Sequence, residues 1–265
     1  MGRGYNIHAN GIRHHLLHYA GRGPSLLLVP GITSPAITWG FVAERLAAVF
    51  DVHVLDVRGR GLSEAGNLDY SLEALAADVI AVAAAADLSK PIVLGHSMGA
   101  RIAIRAARRS QGAFSGLVLV DPPVSGPGRR PYPSAWSWYE ESILMARKGC
   151  SGVEMRRFCP TWTDEQNSLR AEWLHTCQLD AIRTAFDGFH TDDIHSDLPH
   201  LDLPARLVVA GGATVIGEAD IDEIRGLKPD IEVRIVEKAG HMIPWDDIEG
   251  FLTATMDFLP IKSTI

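Results

Sequence analysis

At 265 residues with 46 % hydrophobic side chains, the chain has the length of one α/β domain and enough apolar content to bury a large core. A charged fraction of 22 % lies near the globular average and excludes disordered and fibrous architectures. The formal net charge is -7 and the arginines are scattered rather than gathered into a stripe, which argues against nucleic acid as a partner.

The chain opens on MGRGYNIHANGIRHH, with no apolar run and no small-residue cleavage site, so no secretory signal is expected and the expected compartment is the cytoplasm. Alternation through YNIHANGIRHHLLHYA (5–20), centred on Asn10-Gly11, predicts an antiparallel hairpin. Continuous apolar runs follow at SLLLVP (25–30), DVHVLDV (51–57), PIVLG (91–95), GLVLVD (116–121), ARLVVAG (205–211) and IEVRIVE (231–237). Such runs suit strands buried on both faces of a parallel sheet. Helical patterns fall between them at 39–49, 71–87, 98–109, 218–227 and 246–258. The most apolar of these, 72–88, is interrupted by Glu73, Asp78 and Asp87 and is too polar for a membrane span. The alternation predicts an α/β fold: a mostly parallel, eight-stranded sheet flanked by helices, with its ligand site at the carboxyl ends of the strands.

The strand rhythm stops after Pro122 and resumes near Leu198. That stretch carries Trp136, Trp138, Tyr139, Trp162, Trp173, Phe186 and Phe189. It reads as a helical cap inserted after the sixth strand (about 122–198), over a core formed by 1–121 and 199–265, within a single domain of 1–265. The aromatic residues either face a ligand cavity or anchor the cap. Cys150, Cys159 and Cys177 form an odd set without a CxxC pair and read as reduced packing residues. His14 with His15, and His190 with His195, lack zinc-like spacing, so no metal is expected.

GHSMG (95–99) follows a buried strand and opens the helix MGARIAIRAARRS. In that setting G-x-S-x-G forms a nucleophile elbow, a sharp turn that raises the Ser97 hydroxyl above the sheet. A serine needs a base to take its proton. Of the eleven histidines, His241 in AGHMIPWDD stands between the last strand and the last helix, over the nucleophile. The acid that orients this histidine commonly follows the strand after the cap, yet GATVIG stands there, with Thr214 and Val215 in its place. Asp121, at the end of the preceding strand, is the leading candidate, with Glu218 and Asp220 as alternatives. The backbone N–H groups of Met98, beside the nucleophile, and Ile32, in the PGIT loop (30–33), are the expected oxyanion donors. The glycine-rich DVRGRGLS turn (56–63) reads as structural, its arginines bracing loops.

Six segments carry a resemblance: PGITSPAITWGFVAERL (30–46), LDVRGRGLS (55–63), GHSMGAR (95–101), LVDPPVSGPGRRPYPS (119–134), RAEWLHTC (170–177) and AGHMIPWDD (239–247). Together the chain resembles the N-formylmaleamate deformylases, α/β-hydrolases of aerobic nicotinate degradation. The resemblance implies a Ser-His-Asp triad with the acid after the sixth strand, matching Ser97, His241 and Asp121. It also implies hydrolysis of an N-formyl amide to maleamate and formate through a formyl-enzyme. No cofactor, no nucleic acid, no membrane and no obligatory protein partner are implied. Acetamidomethylene-succinate hydrolases share the acid placement, so a C–C bond, ester or amide hydrolase acting on a related ring-cleavage product is the alternative. The carboxylate of such a substrate needs a cationic or multi-donor partner. Arg129, Arg130, Arg170 and His175 are candidates, with Trp138 and Trp173 as candidate walls, and each could equally brace the cap.

Overall fold

The structure, a computed structural model, describes residues 2–258. Eight strands form one sheet: β1 (Arg3–Ala9), β2 (Ile12–Tyr19), β3 (Ser25–Val29), β4 (Asp51–Leu55), β5 (Ile92–His96), β6 (Gly116–Val120), β7 (Ala205–Ala210) and β8 (Glu232–Val236). Their order is β1-β2-β4-β3-β5-β6-β7-β8. The β1–β2 and β2–β4 pairings are antiparallel and the rest parallel. The opening hairpin forms because Asn10 (φ 47°) and Gly11 (φ 79°) both accept the positive φ that a tight two-residue turn requires. Every residue of β5, β6 and β7 is buried, as their unbroken apolar runs predict, whereas the edge strand β8 is largely exposed.

Outside the cap, helices α1 (Gly40–Leu46), α2 (Leu72–Ala85) and α3 (Met98–Arg109) lie among the first six strands. The predicted helix over 39–49 is shorter at its end and is preceded by a 3-10 turn over 36–39. Between β6 and β7 the cap contributes α4 (Trp136–Arg147), α5 (Gly152–Met155), α6 (Asp164–Trp173) and α7 (Leu179–Thr191). Reciprocal capping boxes start two of them, Ser151 with Glu154 and Thr163 with Gln166. Helix α8 (Glu218–Leu227) joins β7 to β8, and α9 (Ile243–Asp246) and α10 (Ile248–Thr255) follow β8. The helix expected over 246–258 is thus shorter at both ends, as α10, with the four-residue α9 just before it. Asp247 leaves helical geometry (φ −150°, ψ 84°), and its carboxylate caps α10 by accepting from the Gly250 N–H at 2.9 Å.

Two buried arginines bind the cap to the body. Arg101 donates to the carbonyls of Pro123 (2.7 Å), Ser125 (3.0 Å), Gly188 (3.1 Å) and Asp192 (2.8 Å). Arg60 donates to the Ala181 carbonyl at 3.1 Å. Trp162 of the cap stacks on Trp245 of α9 with ring centres 5.0 Å apart. The three cysteines are free thiols, Cys159 and Cys177 buried. Among the described residues, no helix is long and apolar enough to cross a membrane.

Candidate active site

Ser97 sits at φ 53° and ψ −116°, between the end of β5 and the first residue of α3. This strained turn fits because the residues two positions to either side, Gly95 and Gly99, are glycines. A Cβ on Gly99 would run into the carbonyls of Val29 and Pro30, and one on Gly95 into the Gly99 carbonyl. The Ser97 N–H is tied to the Val120 carbonyl at 2.8 Å, fixing the elbow to β6.

His241 lies in the segment joining β8 to α9, and its Nε2 stands 3.0 Å from Ser97 Oγ. Its Nδ1–H donates to Asp121 Oδ2 at 2.6 Å. Asp121, fully buried, follows β6 with φ 45°, and its other oxygen accepts from the Ala210 N–H at 3.1 Å. Because β6 runs between β5 and β7, a carboxylate at its end reaches the histidine from the side away from the serine. Neither alternative acid does so. Glu218 is exposed in the first turn of α8, and Asp220 is held by Arg130 and the Gly217 N–H.

Ile32 and Ser97 both line the cavity in front of this chain of hydrogen bonds, and Met98 begins α3, where the helix supplies no acceptor for its N–H. One guanidinium braces both. Arg60 Nε donates to the Ile32 carbonyl at 3.1 Å and its Nη2 approaches Met98 Sδ at 3.4 Å. Burial lowers this group to about 10, which leaves it charged at neutral pH. Its neighbour Arg58 forms a two-pronged pair with buried Asp78, at 2.5 Å on each side. The glycine-rich turn is thus a brace for the loop that carries Ile32.

The cavity measures about 490 Å³. Of the residues expected to meet substrate, Arg170 and Trp138 line it, and four do not. Arg129 forms a two-pronged pair with Glu223 (2.6 and 2.5 Å), because α8 presents that carboxylate to the loop after β6. Arg130 is spent on Asp220 and the carbonyls of Thr214 and Val215, where it secures the cavity rim. His175 is exposed, its Nδ1–H donating to the Glu172 carbonyl at 2.8 Å. Trp173, at the end of α6, lies outside the lining. None of these four side chains lines the cavity.

Two lining residues had no place in the sequence reading. His96, the variable position of the elbow, donates Nε2–H to the His241 carbonyl at 3.0 Å, holding the loop that carries His241. Burial, with His241 nearby, pushes its imidazole down to about 3. Tyr132 is buried, its ring centre 6.1 Å from that of His241, and its hydroxyl accepts from the Tyr139 hydroxyl at 3.4 Å. Burial, with Tyr139 and Asp121 close, pushes this phenol well above its ordinary value, so it stays a neutral donor. Tyr132 lies in the segment SGPGRRPYPS, where no local pattern separates a tyrosine beside the nucleophile from one that only packs.

Elsewhere, pairing of β2 with β4 gathers His18, Asp51 and His53, whose ligand atoms lie within 4.8 Å of one another. Sequence spacing could not show this, since the residues come from different strands. The two imidazoles stack nearly parallel, 4.3 Å apart, and each Nε2 engages its own oxygen of Asp51, at 2.8 and 3.2 Å.

Comparison with known proteins agrees with this architecture. The alpha/beta hydrolase family matches residues 26–254. An N-formylmaleamate deformylase from Pseudomonas putida is 62 % identical over 97 % of this chain and 96 % of its own length. The crystal structure of an N-formylmaleamic acid deformylase from Pseudomonas putida S16, a serine-to-alanine variant, is 67 % identical and superposes with a TM-score of 0.93, covering 95 % of this chain and 99 % of the other. The crystal structure of E-2-(acetamidomethylene)succinate hydrolase covers 97 % of this chain and 99 % of its own at 20 % identity and a TM-score of 0.80, a likeness of fold. Fold, elbow and family match agree, and the chain belongs to the alpha/beta hydrolase family.

Proposed function

We propose that this hydrolase removes the formyl group of N-formylmaleamate, giving maleamate and formate, in the aerobic breakdown of nicotinate. The observation that carries the substrate is the 62 % identity, over nearly the whole chain, to a relative named for that reaction. The hydrogen-bonded line Ser97–His241–Asp121 supports the chemistry.

The formyl carbon is unhindered, and its nitrogen shares its lone pair with a second acyl group, so it is more electrophilic than an ordinary amide carbon. Ser97 Oγ attacks it while His241 Nε2 takes the hydroxyl proton, and Asp121 stabilises the imidazolium. The N–H groups of Ile32 and Met98 receive the developing oxyanion. His241 then returns the proton to the departing maleamate nitrogen. Water, activated by the same histidine, attacks formyl-Ser97 and releases formate. Side chains and backbone amides fill every role in this scheme. Purified protein incubated with N-formylmaleamate should release one formate per maleamate; release of maleate and formamide with no formate would show hydrolysis at the other amide bond and overturn the reading.

A further inference from the structure

We propose that Arg170 is the anchor of a carboxylate-binding subsite inside the cavity and so sets the preference for an acid over its uncharged analogue in the hydrolysis proposed above. The identity of the amide rests on the deformylase reading; the anion subsite rests on the geometry of Arg170 alone.

Arg170 projects from α6 and is only 4 % exposed. Its hydrogen-bond partners among the described residues are the carbonyl and hydroxyl of Thr33, each at 3.4 Å, close to the limit for such a bond. Its Nε–H is buried and has no partner. No ion pair with a carboxylate is present for it among the described residues, whereas Arg129 and Arg130 are already paired with Glu223 and Asp220. The guanidinium carbon lies 5.1 Å from the Trp138 ring centre and 5.6 Å from that of Trp162. Those indoles attract the cation, yet they leave its N–H edge unsatisfied.

A buried cation without a counter-charge is destabilising unless something supplies one. Five N–H groups in a planar fork, facing a cavity that also holds Ser97, match a carboxylate brought by the ligand. N-formylmaleamate carries its carboxylate at the end opposite the formyl group, so one molecule can present the formyl carbon to Ser97 and the anion to Arg170. Thr33 directly follows Ile32, so the residue that holds the anion also touches the loop that carries an oxyanion donor. Asp246, whose carboxylate accepts from the Gly240 N–H at 2.9 Å, also lines the cavity and repels an anion placed near it, leaving the Arg170 side as the acceptor.

The test compares N-formylmaleamate with the analogue in which methyl replaces the carboxylate, reading kcat/KM for formate release. Wild-type protein should prefer the acid by about 30-fold or more, the scale of losing one partner of a desolvated charge pair. Arg170→Met should collapse that preference towards unity, and Arg170→Lys should restore part of it. Equal losses on both substrates, with the preference intact, would make Arg170 a brace for Thr33 and overturn the proposal. A calorimetric comparison on wild-type protein covers the case in which a variant fails to fold: maleamate should bind about 30-fold more tightly than its methyl counterpart. Equal affinities would overturn the subsite. Tight, carboxylate-dependent binding without any formate release would sustain the subsite while overturning the deformylase reading.

Discussion

His241 connects two residues that the chain places far apart, and each connection has a separate test. If Ser97 and His241 act as one unit, Ser97→Ala and His241→Ala should each lower turnover by about 10⁴-fold or more, and the double variant should be little worse than either. Losses that multiply in the double variant would show independent roles. Asp121 receives its proton partner at 2.6 Å from the imidazole nitrogen facing away from Ser97. Asp121→Asn should keep the fold yet cost about 10³-fold or more in turnover, since an amide favours the wrong tautomer and cannot stabilise imidazolium. Glu218→Gln and Asp220→Asn should cost little by comparison. His96 gives a pH test. Its folded form refuses a proton down to about 3, while an unfolded histidine takes one near 6.5. Across that window the unfolded state binds more protons, so stability falls as pH drops below 6.5, by about 1.4 kcal/mol per pH unit from this group. Melting temperatures measured between about pH 7 and 4.5 should fall less steeply in His96→Gln than in wild type; parallel slopes would remove His96 as the cause.

At the scale of elements, what was legible in sequence was what local pattern determines. Unbroken apolar runs marked β5, β6 and β7, and Asn10-Gly11 marked the hairpin, because burial on two faces and positive φ leave direct traces in residue choice. The elbow was legible for the same reason, and it predicts a steep penalty. Gly99→Ala puts a methyl group against two backbone carbonyls that cannot swing aside, so both melting temperature and formate release should drop, stability by about 2 kcal/mol or more. Less legible was the break at Asp247, since an aspartate within an apolar-periodic stretch reads equally as helix surface or as cap. The substrate contacts were hardest: Arg129, Arg130 and Arg170 look alike in sequence, and only long-range pairing with Glu223 and Asp220 separates the first two from the third.

At the scale of the whole molecule, the aromatic-rich insertion was recognisable as a break in the strand rhythm, but its attachment was not, because Arg101 binds it through backbone carbonyls that carry no sequence signal. Arg101→Leu would remove the donor that four cap carbonyls share, leaving the buried carbonyls of Pro123 and Ser125 without it. Stability should fall by about 3 kcal/mol, with a visible drop in melting temperature; a change within about 0.5 kcal/mol would show that other contacts hold the cap. The cap, the elbow and the His241 loop converge on one claim, that a formyl group passes through Ser97. Rapid-quench mass spectrometry of wild-type protein mixed with N-formylmaleamate tests it most directly. The account predicts a transient mass increase of one formyl group on the peptide carrying Ser97, absent from Ser97→Ala. Formate release without any adduct on that peptide, persisting in Ser97→Ala, would contradict it.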